Sequence, residues 1–107
     1  MVNYNDGLVQ DDSGKVLGNV MFGVIRDGDK LGTGNALGHV KHGLISDDAG
    51  NIIFNVKKGI IRDGIALGGG KSLGKVGDLG ISGTLGQPMD DVVASYHFLV
   101  NKIVWQI

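Results

Sequence analysis

The chain has no cysteine, no glutamate and one proline in 107 residues. Without cysteine there is neither a disulfide framework nor a thiolate-ligated zinc module. Without frequent proline or glycine at every third position, a collagen-like chain is excluded. Neither sign of charge dominates: 10 Lys and Arg stand against 11 Asp, a net charge of −1, so no global field concentrates nucleic acid or an anionic membrane. Aromatic residues make up 6 % of the chain and do not interleave with basic clusters, which leaves a single-strand nucleic-acid platform unsupported. No stretch reaches the roughly 18 apolar residues of a membrane span. The start, Met1-Val2-Asn3-Tyr4-Asn5-Asp6, lacks the basic and apolar regions of a signal peptide. The expected compartment is therefore cytoplasmic, or a leader has been removed.

Glycine is abundant, at 20 residues, against an average usage of roughly 7 %. With 42 % hydrophobic residues, the chain can still build a core and is not a disordered linker. Its length predicts one domain, residues 1–107.

The sequence repeats itself. When Gly7–His42 is set above Gly43–Asp78, 18 of 36 columns are identical without a gap. Among them are Gly7/Gly43, Asp11/Asp47, Asn19/Asn55, Val20/Val56, Arg26/Arg62, Asp27/Asp63 and Val40/Val76. Each unit divides again into a copy with a short loop (7–20, 43–56) and one with a long loop (23–40, 59–76). The shared pattern is Gly, two apolar residues, a polar residue, Asp, a loop, Gly and a closing Val. Gly80–Gly86 reads as a fifth, eroded copy.

Each copy predicts a β-hairpin, because two runs of Val, Ile and Leu flank an Asp/Gly turn. Asp11-Asp12-Ser13-Gly14 and Asp47-Asp48-Ala49-Gly50 suit a turn in which Asp bonds its own backbone and Gly takes positive φ. One hairpin is marginal alone, so several must share a core. The columns Val20/Val40/Val56/Val76 and Val9/Ile25/Ile45/Ile61 are apolar in every copy and are expected to face it. The Gly18/Gly38/Gly74 column suggests crowding near an axis, with Phe54 as the exception that must accommodate a ring. Tyr4 precedes Gly7 by the spacing that separates Val20 from Gly23. Residues 2–4 thus stand where a second strand would, and pairing with Gly80–Leu85 would close a ring and remove open edges.

These tandem hairpins, of the form G-Φ-Φ-x-D-x-x-G-x-x-Φ-G-x-V over residues 7–86, resemble the bacterial β-flower proteins of four-fold or five-fold type. The resemblance implies hairpin petals around a pseudo-symmetry axis and brings no catalytic residues. The expected fold is therefore all-β, a cyclic pseudo-symmetric array of about five β-hairpins with a short C-terminal helix and/or strand. Residues 87–107 form a distinct, glycine-free tail. Pro88 and the acids Asp90 and Asp91 suit a helix start, here from about 90 to 96. Leu99, Ile103, Trp105 and Ile107 share one parity, which predicts a strand after it.

Candidate chemistry is sparse. Gly68-Gly69-Gly70-Lys71-Ser72 approaches a phosphate loop, but the motif's first glycine would fall on Ile65. The Asp11/Asp12 and Asp47/Asp48 pairs offer carboxylates without a calcium-loop pattern. His39 and His42 lack a third ligand, and His97 is read as a partly buried aromatic neighbour. No nucleophile and base are arranged for catalysis. Arg26-Asp27 and Arg62-Asp63 read either as paired sites for an anionic or sugar ligand or as local ion pairs of little energetic weight. The expectation is a non-enzymatic structural or protein-interaction module without cofactor or metal, self-associating through residues 88–107. The alternative is a small-ligand (anion or glycan) module using the loops 28–34 and 64–70, with Arg26, Asp27, Arg62, Asp63, Lys71 and Ser72 as binding residues.

Overall fold

The structure is a computed structural model that describes residues 2–100. Nine strands follow one another: β1 (Asn3–Asn5), β2 (Leu8–Gln10), β3 (Val16–Met21), β4 (Val24–Arg26), β5 (Ala36–Lys41), β6 (Leu44–Asp47), β7 (Ile52–Lys57), β8 (Ile60–Arg62) and β9 (Ser72–Lys75). They form one antiparallel sheet in chain order, β1 to β9. A 3-10 turn, Val76–Leu79, a helix α1 (Met89–Ser95) and a π-helical turn, Tyr96–Val100, complete the described chain.

The internal repeat is visible in the backbone. Within each copy the pairing shifts by one residue at the same place: after Val9, Ile25, Ile45 and Ile61. Between copies the pairing is regular around two-residue turns, Asp6-Gly7, Phe22-Gly23, His42-Gly43 and Lys58-Gly59. Both residues of each turn have positive φ, as a type I′ hairpin requires. The connections between copies are hairpin turns in their own right. The turn glycine is fixed on a second ground: a Cβ on Gly7 or Gly23 would lie 2.5 Å from the carbonyl oxygen of Val20 or Val40. The glycine carbonyls accept bonds from the amides of Val20, Val40, Val56 and Val76, which joins the two ends of each copy's motif.

Both predicted columns lie in the core. Val9, Ile25, Ile45 and Ile61 are fully buried, and Val20, Val40, Val56 and Val76 are buried beside them with Tyr4, Phe54, Val92, Val93 and Ala94. The sheet curls about α1, which packs on β3, β5, β6 and β7. Gly18 and Gly38 of the glycine column are crowded, both by side chains of the tail and by the backbone carbonyls of Arg26 and Ser46. A Cβ on Gly18 would strike Leu99, and one on Gly38 would strike the Phe98 ring. Phe54 fills the same column and meets His97 edge-on, with ring centroids 4.8 Å apart. His97 is thus the aromatic neighbour its sequence suggested.

Three expectations need correction. Four copies form hairpins, but the fifth adds none: Val76–Leu79 turns as a 3-10 helix and residues 80–86 add no strand. This segment has no second apolar run to pair with. Nor does the sheet close among the described residues. The N-terminal segment meets the fifth copy in a single parallel bridge, Asn3 to Ser82, in which Tyr4 N donates to Ser82 O (2.8 Å) and Ser82 N to Val2 O (2.9 Å). Finally, Tyr96–Val100 is helical rather than a strand. Here α1 runs on in place of the period-two pattern because Phe98 and Leu99 fill the glycine column. Ile103, Trp105 and Ile107 lie outside the described residues. The burial of Val92, Val93 and Ala94 in this chain's own core commits that part of residues 88–107 to the fold itself.

Candidate functional site

The Asp-turn reading holds in atomic detail. One carboxylate oxygen of Asp11 accepts the amides of Ser13 (2.9 Å) and Lys15 (3.0 Å) and the Ser13 hydroxyl (2.6 Å). Asp47 accepts the amides of Ala49 (3.0 Å) and Asn51 (2.9 Å). These bonds, led by the Ser13 hydroxyl for Asp11 and the Asn51 amide for Asp47, hold both carboxyls below their ordinary range. Among the described residues no group of three or more His, Cys, Asp or Glu is placed to hold a metal ion.

The long loops are braced from below. Each folds back over a fully buried asparagine two strands earlier, Asn19 of β3 for the loop between β4 and β5 and Asn55 of β7 for the loop between β8 and β9. Asn19 donates to Gly28 O and Thr33 O (3.1 Å each) and accepts from Gly32 N (3.0 Å). Asn55 does the same with Gly64 O and Gly69 O (3.0 Å each) and Gly68 N (2.8 Å). Sequence reasoning missed this pair. A signal was present: Asn alternates with His39 and Lys75 in its column, in step with the long and short loops.

The candidate ligand residues sit on the same loops with backbone partners. Arg26 Nη1 donates to Gly34 O (3.0 Å) and Arg62 Nη1 to Gly70 O (3.2 Å). Asp27 accepts the Asn35 amide and Asp63 the Lys71 amide, both at 2.7 Å. Each Arg-Asp pair therefore cinches the neck of its loop through the backbone. Lys71 is exposed, and Ser72 begins β9 as an exposed residue. The amides of Gly68, Gly69 and Lys71, which a phosphate would need, bond to Asn55, Ala66 and Asp63, and a strand rather than a helix follows.

The other end of the sheet, where the four two-residue turns lie, has a different character. Phe22 is 92 % exposed at φ 53°. A left-handed backbone costs an ordinary L residue roughly 1–2 kcal/mol. Asp and His, which occupy the equivalent places in two sister turns, are enriched there, and a bulky residue is an outlier. Leu85 is 98 % exposed in the turn before α1, and Met89 is 52 % exposed at the helix start. Gln87 ties this segment to the Asp6 turn (3.3 Å), and Asp90 ties α1 to the Gly43 amide (2.9 Å). Leu31 and Leu67 reach the same end from the long loops and pack beside Gly7 and Gly43.

Two depressions open here. One, of about 380 Å³, is lined by His42, Lys57, Lys58, Leu67, Met89 and Asp90 among others. The other, of about 220 Å³, lies where the fifth hairpin fails to form, between Val76, Ile81, Thr84, Gln87, Met89 and Val92. Burial pushes the Asp91 carboxyl up, and the Asp90 charge adds to it. Burial also raises the Tyr4 phenol to about 12, with Asp91, Asp6 and Asp90 contributing. Comparison with protein-family models, curated proteins and solved structures gives no match for this chain.

Proposed function

We propose that this chain is a non-enzymatic interaction module of β-flower type, four petals with an incomplete fifth, whose contact face is the end bearing the two-residue turns. The observation that carries this reading is Phe22. A phenyl ring held 92 % exposed on a left-handed backbone gives the fold nothing in return for its strain, and such outliers concentrate at functional positions. Leu85 and Met89 extend the apolar character across the same end. In the alternative reading, an anion or glycan binds at the long loops. Their internal bonding to Asn19 and Asn55 suits braces better than binding loops.

The test is retention of the native protein on a phenyl matrix. Phe22→Asn and Leu85→Ser should elute earlier than the parent chain, and Ser13→Ala, at the opposite end, should elute with it. Unchanged retention of both apolar variants would contradict the reading.

A further inference from the structure

The repeat ends unevenly. In three copies the closing valine covers the turn glycine that opens the copy. A Cβ on Gly7, Gly23 or Gly43 would stand 2.5, 2.5 or 2.8 Å from the carbonyl oxygen of Val20, Val40 or Val56. In the fourth copy Val76 still donates its amide to Gly59 O (2.9 Å). The chain then leaves the sheet as the 3-10 turn Val76–Leu79, and the Val76 carbonyl does not cover Gly59. Apart from chain neighbours, Met89 Sδ is the one described atom within 4 Å of a Cβ at Gly59, at 3.7 Å. The cavity of about 220 Å³ occupies this place.

Its lining is apolar on Val76, Ile81, Met89 and Val92, and its polar side chains are Thr84 and Gln87. These two are set by a tight turn in which Gln87 N donates to Thr84 O (3.0 Å). Gln87 Nε2 is engaged with Asp6 (3.3 Å). Neither the Thr84 hydroxyl nor Gln87 Oε1 has a hydrogen-bond partner among the described residues. No charged side chain lines the cavity, so an ion entering it would lose hydration without a counter-charge. The volume exceeds the roughly 150 Å³ of an apolar cavity that holds benzene and falls short of the roughly 300 Å³ at which pockets for drug-sized ligands begin.

We propose that this cavity binds a neutral phenol or alcohol of single-ring size. Its apolar body would lie against Val76, Ile81, Met89 and Val92, and its hydroxyl would donate to Gln87 Oε1 and accept from the Thr84 hydroxyl. A hydroxyl both donates and accepts, which matches this pair. Met89 belongs also to the contact face, but the cavity needs no second protein, and retention at Phe22 and Leu85 bears on the contact face alone.

The experiment is titration of the full, 15N-labelled chain with phenol and with toluene, followed by amide chemical shifts. Phenol should shift the amides of Gly59, Gly77 and Thr84 saturably, at roughly millimolar concentration for a ligand of about seven non-hydrogen atoms. Thr84→Val keeps the shape and removes the hydroxyl. It should weaken phenol by about threefold to tenfold and leave toluene unaffected. Gly77 lines the cavity, is not held at positive φ, and has nothing within 4 Å of an added Cβ. Gly77→Leu should therefore fold and bind both probes more weakly, and a parent-like spectrum away from the cavity checks the fold of each variant. Shifts that do not saturate or that spread over the surface would overturn the proposal. So would a Thr84→Val variant that treats the two probes alike, or a Gly77→Leu variant that binds both as the parent does.

Discussion

Replacing Asn55 by alanine tests whether the long loops are braces. The side chain is fully buried and makes three bonds to loop backbone, to Gly64 O, Gly69 O and Gly68 N. Each is worth about 1 kcal/mol net, and the stranded carbonyls and amide are partly rehydrated once the loop lifts, so the expected loss is about 2–4 kcal/mol. For a domain of this size that corresponds to a fall in melting temperature of roughly 8–16 °C. Asn19 makes the same three bonds with Gly28, Thr33 and Gly32. Asn19→Ala should therefore cost the same within about 0.5 kcal/mol. The double variant should show the sum, since the two asparagines share no partner. Urea and thermal unfolding followed by circular dichroism measure all three. A loss below about 0.5 kcal/mol in either single variant, within the range of an ordinary surface substitution, would refute the bracing argument.

Two further outcomes follow from the N-terminal junction and the helix start. Deleting residues 1–5 removes the buried Tyr4 and the bonds to Ser82, and should lower the melting temperature by several degrees; an unchanged melt would mean the bridge contributes nothing. Asp91 has a carboxyl pKa raised by burial and by Asp90, so its charged form disfavours the fold. That penalty is present above the folded pKa and is relieved as pH falls through it toward the unfolded value. Asp91→Asn should accordingly melt higher than the parent at neutral pH and lose that advantage in acid, and a constant difference at both pH values would contradict the assignment.

The repeat made much of the fold legible. A 36-residue offset with half its columns identical can serve only elements that recur, and the Val and Ile columns mark the buried face of every copy. The turns between copies were hidden because Phe22, His42 and Lys58 replace the Asn or Asp that signals a type I′ turn; only Asp6-Gly7 shows it. Met21-Phe22 instead reads as the apolar end of a strand. The tail was ambiguous because Leu99 fits either period, and the glycine column that receives Phe98 and Leu99 lies far away in sequence. Gly80–Gly86 matches the motif in glycine spacing, which suggests ring closure, but lacks the second strand that closure needs. The Arg-Asp pairs recur in the sequence, but that each side chain reaches across its own loop to the backbone is visible only in the fold.

The central claim is that Phe22 serves a surface outside the fold. The thermal midpoint of Phe22→Asn tests it most directly. Asn accepts the left-handed conformation at φ 53°, and relief of about 1 kcal/mol of backbone strain should raise the melting temperature by roughly 4 °C. A variant that melts well below the parent would show that the phenyl ring packs within the fold, and would contradict its assignment to a contact face.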